Sequence, residues 1–290
     1  MGLSKFRSCE STPETLLTAL SFSGGTGSGC IAEMLLNGDL VCDTPLVIVT
    51  ADPGMENSQT YDYVAEMRER FIKKGFDHRI VKTDLYGNFL AAVERKDTRF
   101  DLPPFWTKNR KTGKRGRLMQ GCTGAYKIAP LQRAVRDKLS DVAGIGVTSK
   151  RIPEDSVRTW IGFSIDESSR IKEAKQRYHW FQYPLIALRM TKKDVSEYYK
   201  KINRPLPPRS VCNACFANDV SHFKEMYENR PSDWEQAVAV DDACRDLSFM
   251  RVKDECYVSS TLKSLRQLCD EGFPGSEKPD IMCQTGFCFL

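Results

Sequence analysis

Histidine is scarce in this chain: there are three in 290 residues, His78, His179 and His222. None is spaced from another as metal ligands would be, so nothing points to a histidine-built metal centre and each is expected to be structural. Long apolar runs are also missing. No stretch approaches the ~20 uninterrupted apolar residues of a membrane helix, and no membrane partner is expected. The opening "MGLSKFRSCESTPE" holds no apolar core of the secretory type, and Phe6 stands where an acylation signal at Gly2 wants a hydroxyl residue. A cytoplasmic protein is therefore expected. Neither an internal repeat nor a clear linker is present.

What remains is ordinary for a soluble globular protein, with 41% hydrophobic and 28% charged residues. The length allows one large α/β domain or one domain with an appended subdomain. A formal net charge of +5 suits anionic ligands without requiring them. The surplus is in cysteine, with 11 residues. A disulfide scaffold would be shorter and secreted, which leaves buried thiols, metal ligation or redox chemistry. Cys30, Cys42, Cys244, Cys256 and Cys269 sit in helical or mixed contexts and are expected to be core or incidental.

Residues 16–22 read as a strand and 29–36 as the helix after it. "TPLVIVTAD" (44–52) is a continuous β-branched run, the pattern of a strand buried on both faces. Residues 57–71 carry helical spacing through Tyr61, Val64, Met67 and Phe71, and "HRIVKT" (78–83) reads as a third strand. This βαβαβ order implies a parallel sheet with right-handed crossovers. Residues 85–117 read as a long exposed loop. A basic helix at 128–139 follows, then a strand at 158–166. A helix after Thr191 is capped by Thr191 and Asp194, with Asp in place of the usual Glu. The chain after residue 203 is irregular and Pro-rich, then helical and mixed.

Three constellations carry chemistry. The first is "SGGTGS", Ser23, Gly24, Gly25, Thr26, Gly27 and Ser28, between the first strand and helix. Small residues let main-chain N–H groups approach phosphate oxygens while the helix presents its positive end to the same anion. Ser21, Ser23, Thr26 and Ser28 add hydroxyls. No Lys-Ser/Thr pair closes the loop as in a Walker A motif, and the glycines do not fit a dinucleotide fingerprint. A plain tight turn competes with a phosphate cradle. "ADPGMEN" follows the second strand, and there Asp52 and Glu56 could hold Mg²⁺ or a ribose; Asp-Pro-Gly is equally turn chemistry.

The second is Cys212-Asn-Ala-Cys215, two thiolates on one turn and a natural bite for a metal that needs four ligands. Structural zinc and plain thiols stay open beside it. The third is the run of Lys108, Arg110, Lys111, Lys114, Arg115 and Arg117 behind Trp106. Cations with an aromatic suit nucleic acid, the charges meeting phosphates and the ring stacking on a base. A solvated loop, or a lid over a nucleotide, competes.

"SFSGGTGS", "ADPGMEN", "GCTGAYKIAPLQRAVR", "WIGFSIDESSR", "YPLI…MTKKDV…NRPLPPRSVCNACF" and "CQTGFC" follow one another in an order that resembles the phosphoadenylyl-sulfate (PAPS) reductase-like family of the adenine nucleotide alpha-hydrolase (PP-loop ATP pyrophosphatase) superfamily, in its phage and prophage branch. Its relatives include the sulfur-insertion protein of DNA phosphorothioation systems and tRNA thiolation enzymes. The resemblance spans nearly the whole chain.

It implies an open, mostly parallel five-stranded α/β sheet with helices on both faces and a C-terminal cysteine-containing helical or irregular extension. The implied division is a nucleotide domain over 1–190 and a subdomain over 191–290. Ser23 to Ser28 would bind phosphates of ATP or of an adenylyl sulfate. Asp52 and Glu56 match the second motif. Lys127 and Arg136 would meet phosphate or sulfate oxygens, with Arg170 near the same pocket. Cys122, Cys212, Cys215 and Cys283 would ligate a [4Fe–4S] cluster, with Zn²⁺ the alternative and Cys288 the other tail candidate, or a sulfur carrier.

Two departures stand out. The superfamily's S-G-G-x-D-S has Gly27 in place of Asp, which puts ATP hydrolysis to AMP and pyrophosphate in question. The reductases' C-terminal Glu-Cys-Gly is absent, which disfavours thioredoxin-coupled sulfate reduction. The expected activity is action at an adenylyl phosphate or sulfate, coupled to sulfur transfer, with a cysteine desulfurase or thiol reductant as partner. A homo-oligomer is compatible with it. Two rival readings are a nucleic-acid thiolation or defence component docking DNA or RNA, and a nucleotide-binding scaffold without turnover.

Overall fold

A computed structural model describes residues 10–144 and 152–277. The chain divides into two units, each assembled from separated segments. One draws on Met1–Ala51, Gln59–Val81 and Pro130–Ser210, the other on Asp52–Ser58, Lys82–Ala129 and Val211–Leu290. A single cut at residue 190 is therefore not how the contacts divide. Pieces of the first 130 residues pack with residues 211–277, which strand-and-helix order along the chain does not reveal.

The first unit is built on a five-stranded sheet in the order β3-β2-β1-β6-β7, where β1 is Leu17–Ser21, β2 Leu46–Asp52, β3 Asp77–Lys82, β6 Val157–Trp160 and β7 His179–Gln182. β1 runs parallel to both β2 and β6, and β6 parallel to β7. Alternation along the strands sends residues to two separate cores. Leu17, Ala19, Val47, Val49 and Val157 meet Val135 and Leu139 of α4 (Ala129–Ala143) on one face. Leu20, Ile48 and Trp160 meet the other face, packed by α1 (Thr26–Asn37), α2 (Ser58–Lys73) and α6 (Lys192–Lys201). Burial on both sides explains the continuous β-branched run in β2. The expected α/β class, with a parallel sheet and helices on both faces, is what forms. β7 was absent from the expectation: at four residues with one histidine and one glutamine, it reads as apolar only beside β6.

Local chemistry sets several boundaries. The Thr191/Asp194 capping box is present, each side chain accepting from the other's backbone N–H. α1 starts at Thr26, three residues before the expected start, so Thr26, Gly27 and Ser28 form its first turn. The strand expected over 158–166 stops at Trp160, and a 3₁₀ turn occupies Ile165–Arg170.

Two of the histidines are sheet residues. His78 Nε2 lies 2.9 Å from Thr50 Oγ1, and His179 Nε2 pairs with Thr159 Oγ1. Burial lowers the pKa of His179 to about 4; burial, helped by the Arg68 cation and opposed by Asp77, brings His78 to about 4 as well. The unfolded chain takes up these protons near pH 6.5, the folded one only near pH 4, so their stabilising contribution is complete above pH 6.5 and lost as pH falls toward 4. Urea unfolding at pH 7 and pH 5 should differ by on the order of 2 kcal/mol per histidine. Asn at both positions should remove most of that difference; an unchanged difference would refute it.

The second unit holds α3 (Leu85–Arg95), α7 (Val220–Asn229), α8 (Pro231–Ala243) and α9 (Leu265–Asp270). They close on a core that includes Phe89, Phe105, Phe223, Met226, Val240, Cys244, Cys256 and Leu265. A three-stranded sheet lies there in the order β5-β4-β8: β4 is Trp106–Lys108, β5 Arg115–Arg117 and β8 Glu255–Tyr257, each pair antiparallel. The long loop expected over 85–117 is thus a helix followed by a hairpin. Both strands are three residues long, one is entirely charged or glycine, and the third strand comes some 140 residues later, so no local apolar pattern could announce them.

Cys30, Cys244 and Cys256 are buried, as expected of core thiols. Burial pushes the thiols of Cys30 and Cys256 up to about 12, which makes them inert. No helix among the described residues is long and apolar enough to cross a membrane.

Candidate functional site

β1 lies at the centre of its sheet, with β2 and β3 on one side and β6 and β7 on the other. The order in which successive strands are laid down therefore reverses between β1 and β6, the switch point at which open α/β sheets bind ligands. The glycine loop leaves β1 at this point, and residue 162, just past β6, meets it. A Cβ built on Gly27 would fall 1.9 Å from the carbonyl oxygen of Gly162, and one built on Gly162 would fall 2.3 Å from the Ser28 nitrogen. The two backbones are in direct contact and tolerate no side chain. Gly24 has φ +78°, and its Cβ would lie 2.8 Å from Val64. The glycines here are required by shape.

The serine hydroxyls hold the loop's form. Ser28 Oγ accepts from the Ser23 N–H at 3.2 Å and lies 3.3 Å from the Gly25 carbonyl, to which it donates. Gly25, with extended backbone, caps α1, and no side chain caps the helix. Its first turn contains no acidic residue. The helix start thus presents main-chain N–H groups and its positive dipole end with no acidic side chain in that turn to offset them.

Arg170 closes the 3₁₀ turn that follows Gly162 in the chain. Its guanidinium lies 4.1 Å from the centroid of Phe163, and Phe163 stacks on Tyr183 at 5.7 Å. Nη1 pairs with Glu167, which also forms a capping box with Ser164. Nε and Nη2 are buried and meet no hydrogen-bond partner among the described residues. A guanidinium with unused buried donors is a ready partner for sulfate or phosphate oxygens. Arg136, half-buried on α4, likewise has a buried Nε without a partner among the described residues.

A second group assembles in the other unit. Asp52 Oδ1 accepts from the Gly54 N–H at 2.9 Å, which closes the Asp-Pro-Gly turn. Glu56 is buried and accepts from Lys127 Nζ at 2.5 Å. Cys212 Sγ lies 3.7 Å from the same Glu56 oxygen. The backbones of Glu56 and Cys212 form an isolated antiparallel bridge, extended by Asn57 N–H to Val211 O and Asn213 N–H to Met55 O. Cys215 N–H then donates to Cys212 O at 3.0 Å, and Asn218 Nδ2 ties down the carbonyls of Cys212 and Asn213. The two thiols therefore share one braced turn.

Lys127 reaches this turn from a five-residue π-helical stretch, Gly124–Ile128, just ahead of α4. Such bulges re-aim side chains and recur at functional sites. Only 16% of the Lys127 side chain is exposed. Burial alone would lower its pKa; Cys212, Glu56 and Cys215 together more than offset this and hold the ammonium well above the usual lysine range. The sequence offered Glu56 and Lys127 in separate motifs, and the fold joins them to the cysteines. Of the acidic pair expected at Mg²⁺, Asp52 serves its turn and Glu56 serves Lys127. Cys122 is half-buried on the segment leading to the π-helix. Cys283 and Cys288 lie outside the described residues. Among the described residues no three His, Cys, Asp or Glu side chains gather as a metal site.

The basic run forms the β4–β5 hairpin, and its aromatic is committed elsewhere. Trp106 is buried and donates from Nε1 to the Phe216 carbonyl at 2.9 Å. Arg115 and Arg117 lie over its ring at 5.1 and 5.9 Å. The expected stacking of Trp106 on a base is therefore corrected: the ring buttresses two arginines and is not available to a ligand.

No family model and no curated protein matches this chain. Among solved structures it is similar to the U34-tRNA thiolase NcsA from Methanococcus maripaludis with its [4Fe–4S] cluster, at 14% identity over 84% of this chain and 75% of that one, with a TM-score of 0.38. A likeness of that size carries no residue role from one chain to the other.

Proposed function

We propose that the protein is an adenine-nucleotide-binding enzyme that acts at an adenylyl phosphate or adenylyl sulfate and couples this to sulfur transfer. The observation that carries the reading is the uncapped start of α1 behind a glycine loop at the sheet's switch point. Its main-chain N–H groups would stabilise charge developing on the phosphate, because they are fixed before the ligand arrives. Arg170 would add a charge-assisted contact to a terminal oxyanion.

Gly27 refines the choice of ligand. The superfamily's carboxylate at this position has no room here, since even a methyl group collides with Gly162. A PP-loop reaction that needs that carboxylate at the metal is disfavoured, and an adenylyl sulfate becomes the preferred ligand over ATP.

The PAPS reductase-like resemblance assigns Cys122, Cys212, Cys215 and Cys283 to a [4Fe–4S] cluster. Two of the four support it: Cys212 and Cys215 offer soft sulfur from one braced turn, and the Lys127 ammonium beside them would compensate anionic thiolates. Such a cluster would supply a sulfur-binding redox centre, whereas Zn²⁺ would supply structure alone.

Calorimetric titration with adenosine 5′-phosphosulfate and with ATP tests the reading. Binding should be detected and should weaken about tenfold or more in Arg170→Gln, as expected for loss of a charge-assisted pair. Absence of binding to both nucleotides would overturn it.

A further inference from the structure

The β5-β4-β8 sheet presents one face to the interior and one to the outside. Thr107 and Cys256 point inward, both buried, with Gly116 paired against Thr107. The alternate positions, Trp106, Lys108, Arg115 and Arg117, share the other face. Lys111 and Lys114 extend it from the turn. The six cations of the hairpin are all exposed.

They are not equivalent. Arg110 donates to the Lys253 carbonyl and pairs with Asp246 at 3.6 Å. Arg115 donates to the Ser260 carbonyl and stacks on Trp106. Arg117 lies over Trp106 and, at 4.8 Å, over Phe216. The ammonium groups of Lys108, Lys111 and Lys114 have no ion-pair or hydrogen-bond partner among the described residues. The acidic residues nearby are few and mostly occupied: Asp246 by Arg110, Asp254 by Asn109, and Glu255, opposite Lys108 in register, by Tyr257.

We infer that this face docks the phosphate backbone of a nucleic acid. An acidic protein partner would need an aromatic or aliphatic anchor at the centre of the contact, and the ring at this face is already covered. The turn, "NRKTGK", carries no apolar side chain to enter a membrane. A regularly charged polyanion needs neither. Same-face residues on a strand repeat every ~6.6 Å, about two phosphate steps of one duplex strand along its axis. Contacts of this kind fix position without reading sequence. The face also adjoins the cysteine turn: Phe216, whose carbonyl holds Trp106, directly follows Cys215, and Cys215 packs against the Trp106–Phe216 cluster. A docked strand would lie beside Cys212 and Cys215. The docking itself does not depend on the adenylyl-sulfate reading.

The test is fluorescence anisotropy of the full chain with a labelled RNA stem–loop and a labelled duplex DNA at several KCl concentrations. Binding should fall steeply with salt. The triple variant K108Q/K111Q/K114Q should bind about a hundredfold more weakly near 0.1 M salt, with the log–log salt slope reduced by about 2–3. Its melting temperature should match the wild type, since none of the three ammonium groups bonds to another described residue. A charge-matched variant on α6, K193Q/K200Q/K201Q, should bind as the wild type does. The inference is overturned if the wild type binds neither probe, if the hairpin variant binds both unchanged, or if the α6 variant loses as much. Because the readout uses no adenylate, its failure leaves the calorimetric test of the nucleotide site intact, and the reverse holds.

Discussion

Gly27→Ala is expected to destabilise the first unit by about 3 kcal/mol or more, at or beyond the upper end of overpacking costs. The added methyl would sit 1.9 Å from the Gly162 oxygen and 3.0 Å from its carbonyl carbon. Both are backbone atoms, so no rotamer change relieves the clash, and the β6 exit must move away from the α1 start. Nucleotide binding should be lost with it. Gly25→Ala separates the two effects. Gly25 has φ −89°, which alanine adopts freely, and its Cβ would rest 3.4 Å from Ser210. This variant should stay within about 1 kcal/mol of the wild type in urea melts, the range of ordinary surface changes. It should still bind adenosine 5′-phosphosulfate more weakly, because a methyl group then stands where main chain approaches phosphate. A Gly27→Ala protein with wild-type melting would show that the two backbones do not touch.

Glu56→Gln is expected to cost about 3–5 kcal/mol, the penalty for removing one member of a buried ion pair. Glu56 is 6% exposed, and its carboxylate receives both the Lys127 ammonium and the Cys212 thiol. Gln would leave the cation buried against a neutral amide. The double variant Glu56→Gln/Lys127→Met should recover much of the loss, since a matched removal leaves no uncompensated charge. Urea unfolding of the four species forms a complete cycle. A single variant within about 1 kcal/mol of the wild type, or a double variant less stable than either single, would mean that the pair does not hold this turn together.

The elements that proved legible are those with local signals. The β-branched run of β2, the apolar stretch of β1 and the helical spacing of α2 each announce themselves within a dozen residues. So does the Thr191/Asp194 box, because a capping box is closed by atoms three residues apart. The Cys212–Cys215 turn belongs with them. What escaped detection had no such signal. α3 and the hairpin have no boundary that local pattern shows, because β5 is "RGR", which resembles a solvated segment until β4 pairs with it. The basic run is exposed, as its charge implies, but its aromatic is not free, and nothing local reveals that the indole bonds to Phe216, 110 residues away.

The sequence by itself determined the α/β class, the glycine loop between a buried strand and a helix, and the two thiols on one turn. All three rest on backbone preference and apolar periodicity, which act over a few residues. Only the tertiary structure decided that β6 lies beside β1, and hence that Gly162 closes on Gly27. It also decided that Glu56 and Lys127 leave their separate motifs to stand with Cys212. Those contacts join residues 71 to 156 positions apart, and which of many such pairs form is fixed by which surfaces can be buried together.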